Sequence, residues 1–176
     1  MRMVWGNYLA AAGSVIVAGV YVTRAAPRDV IALQRGQMSY VSQFRRVLPR
    51  VLVLDVVSEP MLLQGVAEAA ALDRARALLA RLNIPQALCV WSLTTFSGGE
   101  QQRVHIARGF IRAVPVPWLD EPTASLNAVN REVVLRLIAE AKARGAAILG
   151  IFHDEAALGR VCDRLIDVTA FAPAVA

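Results

Sequence analysis

The sequence predicts an α/β fold with a parallel core sheet and a helical subdomain, on the basis of two patterns. From residue 97 onward, helical and strand patterns alternate, which is typical of parallel strands covered by helices. Before that, residues 49–83 keep helical spacing, which indicates a helical insert. The 176 residues are 56% hydrophobic, enough to bury one substantial core, so we expect a single domain.

The first elements along the chain are two predicted strands. Residues 8–22 carry no charge, but they are too few for a membrane span, which needs about 20 apolar residues. Residues 14–22 favour β structure instead, and we expect them to form a buried strand. Residues 38–41 form a second strand pattern, which ends at Ser42 and Gln43.

The later elements follow in order. Residues 67–82 form an alanine-leucine helix that is closed by Asn83 and Pro85. A helix that begins at residue 97 leads to an apolar strand at residues 114–119. A helix over residues 127–144 ends at Gly145, where a left-handed residue is favourable, and a strand over residues 146–152 follows it.

Charge and cysteine content exclude some classes of protein. The net charge of +5 comes almost wholly from scattered arginines, with Lys142 as the only lysine, whereas nucleic-acid binding usually leaves a clustered basic footprint. We therefore expect no nucleic-acid partner. Cys89 and Cys162 are far apart and form no CxxC pair, which disfavours a zinc site or a disulfide framework and fits a reduced, cytoplasmic protein.

Ser97, Gly98, Gly99 and Glu100 stand directly before a helical pattern. Free N–H groups at such a helix start, with the helix dipole behind them and no Cβ in the way, can bind an anion such as a γ-phosphate. An ordinary helix cap by Ser97 with a glycine turn is the alternative, and for this run taken alone it is favoured.

Two adjacent carboxylates, Asp120 and Glu121, follow an apolar strand. In parallel α/β sheets, ligands collect at the carboxyl edge of the strands. Asp120 can hold a hydrated magnesium ion, while Glu121 can polarise an attacking water. A solvated acidic turn before Pro122 is the alternative.

His153 and Gln43 also follow strand patterns, so we expect both at the same edge of the sheet. The amide of Gln43 can contact a metal ion and water. The alternatives are a packing role for His153 and an ordinary surface loop for Gln43.

Taken in order, these residues resemble the motifs of ABC ATPases. Five ordered matches carry the resemblance: Gln43 (Q-loop), residues 97–101 (signature), Asp120 with Glu121 (Walker B), residues 125–127 (D-loop) and His153 (H-loop). Around them, residues 41–44, 95–110 and 150–155 resemble the PhnL-type ATPases of the bacterial carbon–phosphorus lyase system.

The resemblance implies a role for each of these residues. Asp120 and Gln43 would hold Mg²⁺, Glu121 would be the catalytic base, and Gln43 and His153 would sense metal and γ-phosphate. Ser97, Gly98, Gly99 and Glu100 would contact ATP across a dimer interface, because the family's signature acts on nucleotide held by the opposite subunit.

Three features depart from the family pattern. The P-loop pattern GxxxxGK[ST] is absent, and Lys142 lies inside a predicted helix with no glycine loop before it. Asn127 stands where the D-loop usually has aspartate, which removes a charge from the expected dimer contact. Pro115 and Pro117 interrupt the strand before Asp120, and a proline in a central strand deletes a ladder hydrogen bond.

We therefore expect a single incomplete ABC ATPase domain over residues 1–176. In this prediction the N-terminal strands and the P-loop of the fold are missing, and residues 2–9 resemble the helix that follows the P-loop. Residues 44–95 are expected to form the helical subdomain, and residues 96–176 the core that carries the later motifs. Alone, the chain should not hydrolyse ATP.

The expected partners are a second ABC ATPase subunit and the carbon–phosphorus lyase core complex, in phosphonate metabolism in the cytoplasm and without direct insertion into a membrane. One alternative is the ATP-binding subunit of a phosphonate or other ABC transporter, in which residues 44–95 would face the membrane partner. A non-enzymatic scaffold or a relic is another.

Overall fold

The computed structural model describes residues 3–8, 10–42 and 49–171. Its strands are β1 Ile16–Val17, β2 Val20–Tyr21, β3 Met38–Val41, β4 Val116–Asp120 and β5 Leu149–Ile151. Its α-helices are α1 Pro27–Gln37, α2 Val53–Leu62, α3 Glu68–Arg81, α4 Gly98–Phe110, α5 Ala128–Ala143 and α6 Glu155–Val161.

Strands β3, β4 and β5 form a parallel sheet with β4 in the centre, which confirms the predicted fold class. β3 pairs with β4 from Met38 opposite Val116 onward, and β5 pairs with the other side of β4 from Trp118 onward. Because the strands are parallel, the residues that follow Val41, Asp120 and Ile151 lie at one edge of the sheet.

Pro117 lies inside this central strand, yet the strand forms. Pro115 O accepts a hydrogen bond from Ala147 N at 2.8 Å, and Glu121 N donates one to Ile151 O at 3.0 Å. Odd-numbered residues of this strand therefore direct their main-chain N–H and C=O groups toward β5. The missing N–H of Pro117 therefore faces β5, just before the first β4–β5 pair at Trp118. The proline shortens pairing on the β5 side and leaves the β3 side intact.

The single buried strand predicted for residues 14–22 is wrong, because this segment forms an antiparallel hairpin of β1 and β2. Its two turn residues, Ala18 and Gly19, have φ values of 46° and 81°, as a two-residue hairpin turn requires. Ile16 and Tyr21 form an exposed cross-strand pair. The other face of the hairpin joins a small core: Val17, Val22, Leu33, Met38 and Trp118.

Helix α1 is missing from the sequence prediction, whereas residues 3–8, which resemble part of a helix, form turns and bends. α1 begins with Pro27 and carries Asp29 in its first turn, and both residues favour a helix start. Leu33 is the one buried residue of this helix, and the polar residues Arg28, Asp29 and Arg35 make the segment resemble a surface connection in the sequence.

Helices α2 and α3 form the predicted helical subdomain and pack against each other and against α4. α3 ends before Asn83, whose φ of 55° stops the helix as the sequence predicts. Arg74 on α3 donates to Ile111 O at 2.8 Å and so attaches the subdomain to the end of α4. The main core runs from these helices to α5 and includes Val57, Leu79, Ile106 and Ile138.

Helices α5 and α6 complete the described fold. The side chain of Asn127 caps α5 by accepting a hydrogen bond from Asn130 N at 2.9 Å, and Gly145 follows α5 with a φ of 88°, as predicted. Helix α6, which the sequence analysis does not predict, is capped by Asp154 through Ala157 N at 3.2 Å. Asp154 directly follows His153, so the cap fixes the start of α6 beside the predicted site.

Candidate functional site

Strand β4 carries Asp120 and Glu121 to the carboxyl edge of the sheet, as the sequence predicts. The hydroxyl of Tyr40 on β3 donates to Asp120 Oδ2 at 3.1 Å, and this contact fixes one carboxylate oxygen. The ring of Tyr40 in turn lies 5.3 Å from that of Trp5. Tyr40 is a site residue that no sequence motif marks, although its position in a strand, three residues before Gln43, is a usable signal.

Glu121 is buried, with 5% of its surface exposed, and has a φ of 52° in the left-handed region. Such a conformation costs a non-glycine residue about 1–3 kcal/mol, so the surrounding contacts must hold it. They include the bond from Glu121 N to Ile151 O on β5 and a bond from Ala124 N to Glu121 O at 3.2 Å. The turn therefore points this carboxylate along the sheet edge rather than into solvent.

His153 lies just after β5 and contacts the Glu121 carboxylate. Its main-chain N–H donates to Glu121 Oε2 at 3.3 Å, and its Nε2 lies 3.3 Å from Oε1. Oε1 is buried and has no hydrogen-bond partner, so the imidazole lies beside this oxygen without forming a hydrogen bond to it. The imidazole itself is 87% exposed and can reach a ligand from outside.

Helix α4 begins at the predicted anion-binding run with a complete capping box. The Ser97 hydroxyl donates to Glu100 Oε2 at 2.6 Å and accepts from Glu100 N at 3.4 Å, while Ser97 N donates to Glu100 Oε2 at 2.8 Å. The Ser97 hydroxyl bond lowers the pKa of Glu100. The structure therefore contains the ordinary helix cap that is the alternative interpretation of this run. Ser97 and Gly98 are also exposed to solvent, so a ligand can reach them.

Two contacts connect this helix to the acid pair and its turn. The buried side chain of Gln102 donates from Nε2 to Glu121 O at 3.3 Å. At Gly99, an added Cβ would lie 3.2 Å from Ser125 O, so a side chain there would press on the turn after Glu121. No sequence motif marks Gln102 as a site residue, although a polar residue three positions after Gly99 on a buried helix face is a usable signal.

The structure thus brings Asp120, Glu121 and His153 together and attaches the signature helix to them. Gln43 lies outside the described residues. Glu100, a predicted ATP contact, is engaged in the cap of its own helix.

The carboxylates of Asp120 and Glu121 are suitable ligands for Mg²⁺, because this ion binds one or two carboxylates together with waters and phosphates. The described residues contain no cluster of three or more side chains that could hold a metal ion without such help. No helix in the described part of the chain is both long and apolar enough to cross a bilayer.

Residues 1–124 match the family model described as "ABC transporter". The chain belongs to the ABC transporter family. The observed order and the spatial grouping of the motifs agree with this membership, and the roles of the individual site residues in the family stay predictions for this chain.

Its relatives include transporter ATPases. The chain is 36% identical over 156 residues to the lipoprotein-releasing system ATP-binding protein LolD of Maricaulis maris, an alignment that spans 88% of this chain and 67% of the relative. It is 35% identical over 147 residues to the macrolide export ATP-binding/permease protein MacB of Chromobacterium violaceum, and the alignment spans 80% of this chain and 21% of that protein. The chain thus spans about two thirds of LolD and a fifth of MacB.

Solved cassettes have the same fold. The dimeric bacterial ABC transporter cassette MJ0796 superposes with a TM-score of 0.82 at 20% identity, over 89% of this chain and 69% of that one. The post-hydrolysis dimer of MJ0796 bound to ADP and Pi gives a TM-score of 0.81 at 20% identity, with the same coverage.

The relatives correct the finer part of the sequence interpretation. They support an ABC ATPase, but the names LolD and MacB denote transporter components, so the assignment to the PhnL type and to phosphonate breakdown is unsupported. The motifs that suggested PhnL are ones that ABC ATPases share whatever process they drive.

Proposed function

We propose that this chain is the ATP-binding subunit of an ABC transporter and contributes to Mg²⁺-dependent ATP hydrolysis. The observation that carries the proposal is the buried Glu121 carboxylate, which His153 contacts at 3.3 Å beside Asp120. The LolD and MacB relatives favour a transporter over the carbon–phosphorus lyase system.

In this proposal Glu121 is the general base that takes a proton from the attacking water. Its turn holds the carboxylate at the sheet edge through Ile151 O and the His153 amide, so it can act without rearranging. The exposed imidazole of His153 would bind the γ-phosphate. Asp120, oriented by Tyr40, would hold Mg²⁺, which when bound neutralises charge on the phosphates.

The start of helix α4 would bind phosphate from outside the chain. Ser97 and Gly98 are exposed, and the helix dipole favours an anion at this end. The nucleotide would therefore be shared with a second ABC subunit, and the dimeric cassettes with the same fold support this arrangement.

The helical subdomain would face the membrane partner of the transporter. Exposed apolar side chains gather near the base of this subdomain, where Leu52 pairs with Ser92 in an isolated bridge and Val53 N donates to Trp91 O at 3.0 Å. Leu52, Val90 and Trp91 are 41%, 61% and 53% exposed. Apolar side chains clustered in this way mark an interaction surface. The ATP-binding domain would lie on the cytoplasmic side.

The first experiment measures Mg·ATP binding by calorimetry. The 176-residue sequence contains no GxxxxGK[ST], and without P-loop amides and lysine most β- and γ-phosphate contacts are missing. We expect this chain alone to bind more weakly than about 1 μM. Submicromolar binding of Mg·ATP by this chain would contradict the expectation.

The second experiment assigns the base in a preparation of the protein that hydrolyses Mg·ATP. Glu121→Gln should abolish phosphate release while it leaves ATP binding intact, because the amide keeps the shape of the side chain but cannot take a proton. Glu132→Gln is the matched control, since Glu132 is a glutamate on α5 that bonds to Arg136 and Arg160. Unchanged turnover in Glu121→Gln would refute the assignment of the base.

A further inference from the structure

A closed ring of contacts connects the two turns of the site. From Glu121 the chain runs through a tight turn to Asn127, which caps helix α5. In the first turn of α5, Arg131 extends toward the other segment, and its NH1 lies 2.7 Å from Asp154 Oδ2. Asp154 follows His153, which returns to the Glu121 carboxylate.

His153 depends on its neighbours along the chain for its position. With 87% of its side chain exposed, little packing restrains the imidazole, and its contacts to Glu121 are both 3.3 Å. The segment between β5 and α6 must therefore be fixed by other bonds if the imidazole is to stay beside the carboxylate.

The ion pair of Arg131 with Asp154 is suited to this task. The two side chains are 39% and 24% exposed, so water screens the pair only in part. The bond from Arg131, together with that from the Ala157 amide, lowers the pKa of Asp154, so this residue stays charged. A charge-assisted bond of this length holds its two groups in a narrow range of geometries.

A purely structural role is the competing explanation, because other polar pairs also join α5 to α6. Arg160 on α6 makes two bonds to Glu132, at 2.6 and 3.0 Å, and Lys142 donates to Val161 O at 2.6 Å. These pairs attach the far part of α6 and do not adjoin His153. The two explanations therefore differ in what a change at position 131 does to the imidazole.

We propose that Arg131 is a positioning residue that holds His153 against Glu121 by binding Asp154. The proposal rests on the proposed function in that His153 acts on the nucleotide. Arg131 thereby connects the start of α5, and the turn that follows Glu121, to the segment that carries the His153 imidazole. The Glu121 turn and the His153 segment should therefore move together.

The test uses the 176-residue chain labelled with ¹³C-histidine. The chain has two histidines, so the Cε1–H region of a ¹H–¹³C correlation spectrum contains two signals, and the one that remains in His153→Asn is that of His105. In Arg131→Gln we expect the His153 ring signal to move most of the way toward its position in the urea-unfolded chain, while the His105 signal stays in place. Arg131→Lys, which keeps a cation, should retain most of the native position.

Two further variants separate positioning from stability. Asp154→Asn keeps a side chain that caps a helix well but loses the charge, so it should move the His153 signal as Arg131→Gln does, even if the latter folds poorly. Glu132→Gln breaks the neighbouring α5–α6 pair, so it should lower stability and leave the His153 signal unmoved.

The proposal would be overturned by a His153 signal that stays in place in folded Arg131→Gln or Asp154→Asn. It would equally be overturned by a signal that moves as far in Glu132→Gln. Because no nucleotide is needed, this result can be read even if unchanged turnover of Glu121→Gln refutes the proposed function itself.

Discussion

Replacing Gly109 by alanine adds a methyl group where helix α4 lies closest to strand β3. The new Cβ would fall far inside the contact distance of Val41 Cγ2, with Val41 Cβ next at 3.8 Å. Val41 is 1% exposed and β-branched, so it has no free space or alternative rotamer to accept the methyl. Helix and strand must then move apart, and this strand leads to Ser42 and to the site edge.

The size of the effect is the difference between two opposing terms. Overpacking a buried contact costs about 1–3 kcal/mol, whereas alanine in place of glycine inside a helix gains about 1 kcal/mol. The Gly109→Ala variant should therefore be less stable by about 1 kcal/mol. Gly36→Ala on α1 is the matched control because a Cβ there meets nothing within 4 Å, and it should gain stability.

Urea unfolding followed by circular dichroism measures both free energies of unfolding. In a Val41→Ala background the obstructing methyl is gone, so Gly109→Ala should lose less there than in the wild type, and the two changes should be non-additive. A Gly109→Ala protein as stable as Gly36→Ala would refute the packing argument, and so would strict additivity with Val41→Ala.

Three further predictions concern single polar groups. Tyr40→Phe removes the donor to Asp120 and should lower the free energy of unfolding by about 1–2 kcal/mol; an unchanged urea midpoint would show that the bond contributes nothing. Ser97→Ala breaks the capping box with Glu100 and should cost about 1 kcal/mol in the same assay, and Ser97→Thr should recover most of it. Arginine hydrogen bonding lowers the pKa of Glu132 from its ordinary 4.5 to about 2, so its stabilisation is complete above pH 4.5 and is lost as the pH falls toward 2. As the pH falls from 4.5 to 2, the urea midpoint of Glu132→Gln should therefore decrease less steeply than that of the wild type. The same pH dependence in both proteins would contradict the assignment.

The family resemblance was correct at the level that the motifs can reach. The motifs that contain Ser97, Glu121 and His153 are shared by ABC ATPases whatever process they drive, so they indicate the family and not the coupled process. The phosphonate interpretation is unsupported for this reason. The LolD and MacB relatives show similarity over most of the chain and favour a transporter.

The sequence by itself determined the parts of the fold that are encoded by local pattern. The alternation after residue 97, the capping run at Ser97 and the stop at Gly145 are set by periodicity and by backbone preference, which act within a few residues. Helix α1 escaped prediction because it buries little apolar surface, and the hairpin at residues 14–22 escaped because its turn is Ala-Gly rather than a stronger turn pair.

Tertiary structure alone decided which side chains meet. Tyr40 reaches Asp120 across 80 positions of sequence, His153 reaches Glu121 across 32, and Arg131 reaches Asp154 across 23. Each of these contacts depends on strand register and on how two elements pack, and a shift of one residue in register would turn a side chain to the opposite face of the sheet. Local pattern carries no information on register between distant strands, so only the folded chain shows how the site is assembled.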